Sequence, residues 1–163
     1  MTPAPLPPIL YTKRCKLDRI NLHDLDMLRD IVDASQFRLF MPELYALVHE
    51  VIGMHRFLRS FDIYAQEGEG FLWGIWKQSY LIGFLAIMDM SCEPTIFYAM
   101  HSEYRNKGFT KEAVAEVVAY YKSISNVQLH TEVYKSNLPS LSILASCGFQ
   151  VVGTKDNKFL LKV

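Results

Sequence analysis

The sequence contains little cysteine and no excess of charge of either sign. Its 163 residues include three cysteines, Cys15, Cys92 and Cys147, and 17 basic side chains balance 17 acidic ones. An odd, widely spaced set of cysteines argues against a disulfide framework and against a zinc site of the CxxC kind. Reduced thiols are typical of the cytoplasm, so we expect a cytoplasmic protein with no bound metal.

The chain also lacks a long apolar run. No stretch reaches the length of a membrane span, and the proline-rich residues 1–8 have neither the basic region nor the apolar core of a signal peptide. Without a net positive charge there is no general attraction for nucleic acid or an acidic membrane. We expect a short lead-in over residues 1–8, one domain over residues 9–163, and neither nucleic-acid nor membrane partners.

The apolar periodicity predicts a mixed α/β chain in the order β-α-α-β-β-β-α-β-α-β. The strands are predicted at residues 9–17, 71–77, 80–90, 95–101 and 127–134, with strand-like runs at 150–153 and 158–163. The helices are predicted at residues 22–31, 42–58, 110–123 and 139–147, and residues 37–41 are predicted to be an apolar connector.

The most informative segment is a basic turn between a predicted strand and a predicted helix. Residues 100–110 read Met-His-Ser-Glu-Tyr-Arg-Asn-Lys-Gly-Phe-Thr. Backbone N–H groups at a helix start have no intrahelical partner, and the helix dipole makes them attractive to phosphate oxygens. Arg105, Lys107 and Lys111 add positive charge there. The segment therefore predicts a pyrophosphate site, although Gly108 by itself is also typical of an ordinary turn.

Two further motifs follow, Glu132-Val-Tyr-Lys-Ser-Asn137 and Ser140 with Cys147-Gly148-Phe149. Each has a structural interpretation, since an asparagine before Pro139 can cap a helix and Gly-Phe can end one. In order and spacing, these motifs and the basic turn resemble the GNAT N-acetyltransferase superfamily. The segments at residues 11–17 and 38–42 resemble the branch that acts on ribosomal-protein N-termini.

The resemblance implies a single GNAT-like α/β (mixed α+β) domain whose central, mostly antiparallel sheet is splayed and flanked by helices. It implies acetyl-CoA as acyl donor. Its contacts would come from the main chain of Tyr98, Ala99 and Met100, from Arg105, from the backbone of Asn106, Lys107, Gly108, Phe109, Thr110 and Lys111, and from Asn137 and Ser140. The sequence departs from the family pattern at Thr110, where glycine or alanine is usual.

The resemblance also implies transfer of acetyl to a primary amine, either a peptide or protein N-terminus or a small amine, by direct attack. Glu132 is the first candidate for general base, with His101 and Glu103 as alternatives, but it is equally typical of an exposed ion pair. The family's usual tyrosine acid is replaced by Leu144, and Tyr134 is a possible substitute. A catalytically weak or inactive acyl-CoA-binding or regulatory module therefore stays open, as does a monomer or a homodimer.

Overall fold

Helices cover both faces of a mixed sheet. The computed structural model describes residues 6–163, so residues 1–5 of the predicted lead-in lie outside the described part of the chain. Residues 6–163 form the strands β1 (Leu10–Tyr11), β2 (Lys16–Asp18), β3 (Phe71–Lys77), β4 (Tyr80–Met88), β5 (Thr95–Met100), β6 (His130–Tyr134), β7 (Gln150–Lys155) and β8 (Lys158–Lys162). They also form the helices α1 (Leu25–Val32), α2 (Ser35–Phe40), α3 (Pro42–Val48), α4 (Gly53–Gln66), α5 (Phe109–Ile124) and α6 (Leu138–Ser146).

The strands lie in the order β1-β2-β3-β4-β5-β6-β8-β7. Within the described residues, neighbouring strands are antiparallel except β5 and β6, which are parallel. One face packs Ile96 and Met100 of β5 under α5 and α6. The other packs Ala99 and the aromatic ring of Phe97 against α1 and α4. The predicted mixed, mostly antiparallel, helix-flanked fold is therefore confirmed.

The prediction of one strand over residues 9–17 is wrong, because a tight turn interrupts it. The N–H of Thr12 donates to the carbonyl of Cys15 at 2.9 Å, and the N–H of Cys15 donates to the Thr12 hydroxyl at 2.8 Å. These bonds separate β1 from β2 and allow the two to pair as a short hairpin. The alternating pattern persists across the turn, so periodicity alone could not reveal it.

The predicted helix over residues 42–58 is broken, and the predicted connector over residues 37–41 is largely helical. Helix α3 ends at Val48, and Ile52 has a left-handed backbone (φ 54°) just before Gly53 begins α4. A Cβ on Gly53 would lie 2.3 Å from the carbonyl oxygen of Leu47. Only glycine permits this approach of the two helices. The remaining elements begin and end within a few residues of their predicted limits.

The sheet divides between β5 and β6. The two strands share the residue pair Thr95–His130, and the N–H of His130 donates to the carbonyl of Pro94 at 2.7 Å. The buried hydroxyl of Thr131 donates to the carbonyl of Ile96 at 2.9 Å. Beyond this point no further β5–β6 pair occurs in residues 6–163, so the strands diverge and leave main-chain groups of β5 facing a gap.

Thr131→Val is expected to lower the free energy of unfolding by about 1–2 kcal/mol, because it keeps the side-chain shape but leaves the Ile96 carbonyl without its donor. Urea unfolding followed by circular dichroism measures the change. Thr154→Val, on the exposed strand β7, is the matched control and should stay within about 0.5 kcal/mol of the unmodified chain. Equal losses in the two variants would contradict a role for the Thr131 hydroxyl in joining β5 to β6.

Candidate active site

A cavity of about 250 Å³ opens where β5 and β6 diverge. Helix α2, the start of α6 and the turn before α5 close its other sides. Predicted site residues that line it are Tyr98, Ala99, Met100, Arg105, Asn106, Thr110, Glu132, Asn137 and Ser140. The predicted residues Lys107, Gly108, Phe109 and Lys111 lie beside it, in the turn and first turn of α5.

The main chain of β5 alternates between its neighbour β4 and the gap. The N–H of His101 donates to the carbonyl of Ile82 at 2.7 Å, which fixes residues 97, 99 and 101 as the ones that face β4. The main-chain groups of Tyr98 and Met100 therefore face the gap. Those of Ala99 do not, so the prediction that Ala99 pairs there through its main chain is wrong.

The turn before α5 presents a run of backbone N–H groups. Asn106 and Gly108 have left-handed backbones (φ 59° and 84°), and α5 begins at Phe109. Within residues 6–163, the N–H groups of residues 106–111 have no hydrogen-bond acceptor, and the first bond of the helix start runs from Glu112 N–H to the Gly108 carbonyl at 3.1 Å. Together with the helix dipole, these groups form an anion cradle, which we define as the N–H groups of residues 106–111.

Basic side chains around the cradle bind the carbonyls of its own loop. The Arg105 Nε donates to the Met100 carbonyl at 3.3 Å, and the Lys107 ammonium donates to the Glu103 carbonyl at 2.8 Å. Burial lowers the pKa of Arg105. These two cations therefore stabilise the conformation of the loop. From the sequence they were predicted only to add positive charge near the phosphates.

Arg14 is a further cation at the cradle, and no local sequence pattern indicated it. It lies in the turn between β1 and β2, where its Nη2 donates to the Lys107 carbonyl at 2.7 Å and its Nε donates to Glu112 Oε2 at 2.7 Å. Its guanidinium also stacks 4.0 Å above the Phe109 ring. The hydrogen bond with Glu112 raises the pKa of Arg14. Because Glu112 is 98 residues away in sequence, only the fold brings the pair together.

Strand β5 and the start of α6 bring two hydroxyl groups together at the cavity. Asn137 Oδ1 accepts a hydrogen bond from the Ser140 N–H at 3.3 Å, so Asn137 does cap α6 while also lining the cavity. The Ser140 hydroxyl lies 2.5 Å from the Tyr98 hydroxyl. Burial raises the pKa of Tyr98 to about 12. Tyr98 therefore stays protonated at neutral pH.

The Gly148-Phe149 motif ends α6 in a Schellman arrangement. Gly148 is left-handed (φ 92°), its N–H donates to Ala145, and the Phe149 N–H donates to Leu144 at 3.0 Å. Leu144 is fully buried and has no proton to give. Cys147 is half-buried, its Sγ lies 3.7 Å from the Lys111 carbonyl oxygen, and burial raises the pKa of its thiol, which disfavours the thiolate.

Glu132 is the one carboxylate among the cavity-lining residues of the described chain. Its side chain is 44% exposed, and its Oε2 lies 3.8 Å from the Lys158 ammonium. The alternative bases lie outside the lining, and the His101 ring accepts a hydrogen bond from the Glu103 N–H at 3.1 Å. The two interpretations of Glu132, cavity base and ion-pair member, are thus both compatible with the geometry.

Helix α2 supplies an aromatic wall that the sequence indicated only as a connector. Phe37 and Phe40 of α2 and the adjoining Met41 line the cavity, and the Phe40 ring lies 6.5 Å from the ring of Tyr134. Tyr134 in turn lies beneath the Lys158 ammonium at 4.8 Å. The cavity therefore has a backbone-rich end at the cradle and an aromatic end at α2.

Comparison with known families places residues 14–150 in the acetyltransferase (GNAT) domain family. This match covers most of the chain, and the protein belongs to that family. Comparison of the sequence with curated proteins finds no match.

Several solved structures share the fold at low sequence identity. RimJ of Mycobacterium smegmatis, in complex with CoA-disulfide, is 18% identical with a TM-score of 0.78 over 96% of this chain and 85% of that one. RimL, the ribosomal L7/L12 α-N-protein acetyltransferase, in complex with coenzyme A, is 12% identical with a TM-score of 0.83 over 95% and 96%. The microcin self-immunity acetyltransferase MccE, in complex with acetyl-CoA and AMP, is 14% identical with a TM-score of 0.74 over 93% and 92%.

Two kinds of feature are absent from residues 6–163. No helix there has the length and apolar character needed to cross a bilayer. The same residues contain no group of three or more His, Cys, Asp or Glu side chains arranged to hold a metal ion.

Gly108→Ala is expected to cost about 2 kcal/mol of folding stability, against about 1 kcal/mol for Gly68→Ala. Both glycines have positive φ, 84° at Gly108 and 72° at Gly68. A Cβ on residue 108 would lie 3.1 Å from Arg14 Nη2, whereas a Cβ on residue 68 would have no atom of the described residues within 4 Å. Denaturant unfolding of the two variants measures the difference. Identical losses would mean that Arg14 yields freely and does not constrain the turn.

Proposed function

We propose that this protein is an acetyl-CoA-dependent N-acetyltransferase that acetylates a primary amine, either a peptide or protein N-terminus or a small amine. The observation that carries the proposal is the anion cradle at residues 106–111, which adjoins the open edge of β5 in one cavity. Family membership and the coenzyme A complexes of RimJ and RimL support it.

The residues fit the pyrophosphate and pantetheine parts of coenzyme A. The anion cradle suits the pyrophosphate, because it offers main-chain donors and the positive end of a helix. The Met100 N–H and the Tyr98 carbonyl face the gap and suit the amides of pantetheine, which can extend the sheet like an added strand. The Asn137 amide nitrogen makes no hydrogen bond within residues 6–163 and borders the same cavity, so it is available to a pantetheine carbonyl.

Acetyl-CoA supplies an activated thioester carbonyl. In the proposed reaction Glu132 takes a proton from the amine, directly or through water, so that the amine nitrogen bonds to that carbonyl carbon as the carbon–sulfur bond breaks. The Tyr98 N–H also faces the gap, farther along β5 from the cradle than Met100, and can donate to the oxygen as it gains charge. The Ser140 hydroxyl, oriented by the protonated Tyr98, can hydrogen-bond the departing sulfur, a role that Leu144 cannot fill.

The cavity wall favours an N-terminal amine over a polyamine. A polyamine carries several positive charges that need several carboxylates, whereas Glu132 is the one carboxylate in the described lining. The aromatic and sulfur side chains of Phe37, Phe40 and Met41 instead suit an apolar group beside a single amine.

The second candidate is a catalytically weak or inactive acyl-CoA-binding module. The ion pair of Glu132 with Lys158 favours this binding module, because the pair gives Glu132 a structural role without catalysis. In either case the free cysteines support a cytoplasmic location. We propose that the protein acts as a monomer or homodimer without nucleic-acid or membrane partners.

Acetyl-CoA at one hundred times its Kd should stabilise the protein by about 2.7 kcal/mol, because it binds the folded state. For a domain of this size that is a rise in Tm of roughly 5–10 °C, which differential scanning fluorimetry measures. Pantetheine, which lacks the pyrophosphate, is the control and should shift Tm far less. An unchanged Tm with acetyl-CoA would overturn cofactor binding, and a shift without thiol release across an amine panel would favour the binding module.

Glu132→Gln should lower the turnover number about 100-fold or more at neutral pH, because the amine loses its proton acceptor. The acetyl-CoA shift in Tm should persist. Release of coenzyme A thiol with a peptide amine measures turnover. Glu93→Gln is the matched control, because Glu93 is also an exposed carboxylate 3.8 Å from a basic side chain, that of His130, but does not line the cavity. It should leave turnover unchanged. Full activity of Glu132→Gln would exclude this residue as the base.

A further inference from the structure

An acidic side chain lies next to the anion cradle. Glu112 follows the cradle in the first turn of α5, and its Oε2 lies 4.0 Å from the point where a side chain on Gly108 would begin. Its other oxygen, Oε1, is buried and has no hydrogen-bond partner within the described residues. A carboxylate here repels the phosphates of coenzyme A and is itself attracted to unpaired N–H groups at a helix start.

Arg14 is the residue that restrains this carboxylate. Two of its nitrogens, Nε and Nη2, donate to Glu112 Oε2, and Nη2 also donates to the Lys107 carbonyl. The Phe109 ring supports the guanidinium from below at 4.0 Å. Three different parts of the α5 entrance therefore hold one side chain from the β1–β2 turn.

We propose that Arg14 is a positioning residue for coenzyme A binding: it neutralises Glu112 and keeps its carboxylate off the anion cradle. The inference rests on the proposed function, since it concerns the same pyrophosphate site. Without Arg14, the Glu112 carboxylate becomes an internal competitor, because it can turn toward the unpaired N–H groups that the phosphates need. Arg14 thus keeps the N–H groups of residues 106–111 free to bind phosphate, and it need not contact the phosphates itself.

A double-mutant cycle with coenzyme A as the probe tests this role. Measured by isothermal titration calorimetry, Arg14→Met should raise the Kd for coenzyme A about tenfold, a change typical of losing a charge-assisted contact. Glu112→Gln alone should lower the Kd about threefold, because it removes a negative charge near the phosphates. The double variant should return to within about threefold of the unmodified chain, because no carboxylate remains to be restrained.

Rescue by Glu112→Gln separates this role from a merely structural one. If Arg14 only supported the fold, the double variant would bind coenzyme A as poorly as Arg14→Met, and the inference would be overturned. Arg19→Met, which breaks an exposed pair with Asp62 at 4.0 Å, is the matched control and should leave the Kd unchanged. If Arg14→Met fails to fold, Glu112→Gln still decides, since weaker binding by that variant overturns the inference.

The same titrations distinguish this inference from the proposed function. No binding of coenzyme A by the unmodified chain would overturn both. Binding by the unmodified chain that Arg14→Met leaves unchanged would overturn the role of Arg14 alone and leave the proposed function intact.

Discussion

The separation of β5 from β6 is the constraint on which the rest of the structure depends. These strands are parallel, and a parallel pair needs a crossover helix, here α5, that starts beyond the carboxyl end of the first strand. The start of α5 is therefore fixed beside the end of β5, at the same edge where the strands diverge. A polar strand edge and a helix N-terminus meet at one cavity as a direct consequence of topology.

The polar groups around this cavity are satisfied unequally. Carbonyls of the loop, those of Met100, Glu103 and Lys107, accept hydrogen bonds from Arg105, Lys107 and Arg14. The N–H groups of residues 106–111, by contrast, have no hydrogen-bond acceptor within residues 6–163. The loop therefore pairs its carbonyl oxygens within the protein and leaves its N–H groups open, so the local potential favours an anion although the net charge of the protein is zero.

Features marked by a local sequence signal could be predicted from the sequence, and features without such a signal could not. The β5–turn–α5 unit and the Gly148-Phe149 helix end were predictable because turn glycines and helical periodicity are local signals. The break before Gly53 was missed because the apolar period continues across it. The Arg14–Glu112 pair was missed because the two residues meet only in the folded chain. The splayed sheet itself followed from the family resemblance and not from periodicity.

The two ends of the cavity are built from different chemical groups, and under the proposed function this separates binding of the acyl donor from selection of the acceptor. The donor end consists mainly of backbone N–H groups and a helix dipole, which persist wherever the fold persists, as it does in structures only 12–18% identical to this chain. The proposed acceptor end consists of side chains such as Phe40 and Tyr134, which can change without disturbing the sheet. The fold can therefore keep one acyl donor while its acceptor changes by substitution along α2 and β6.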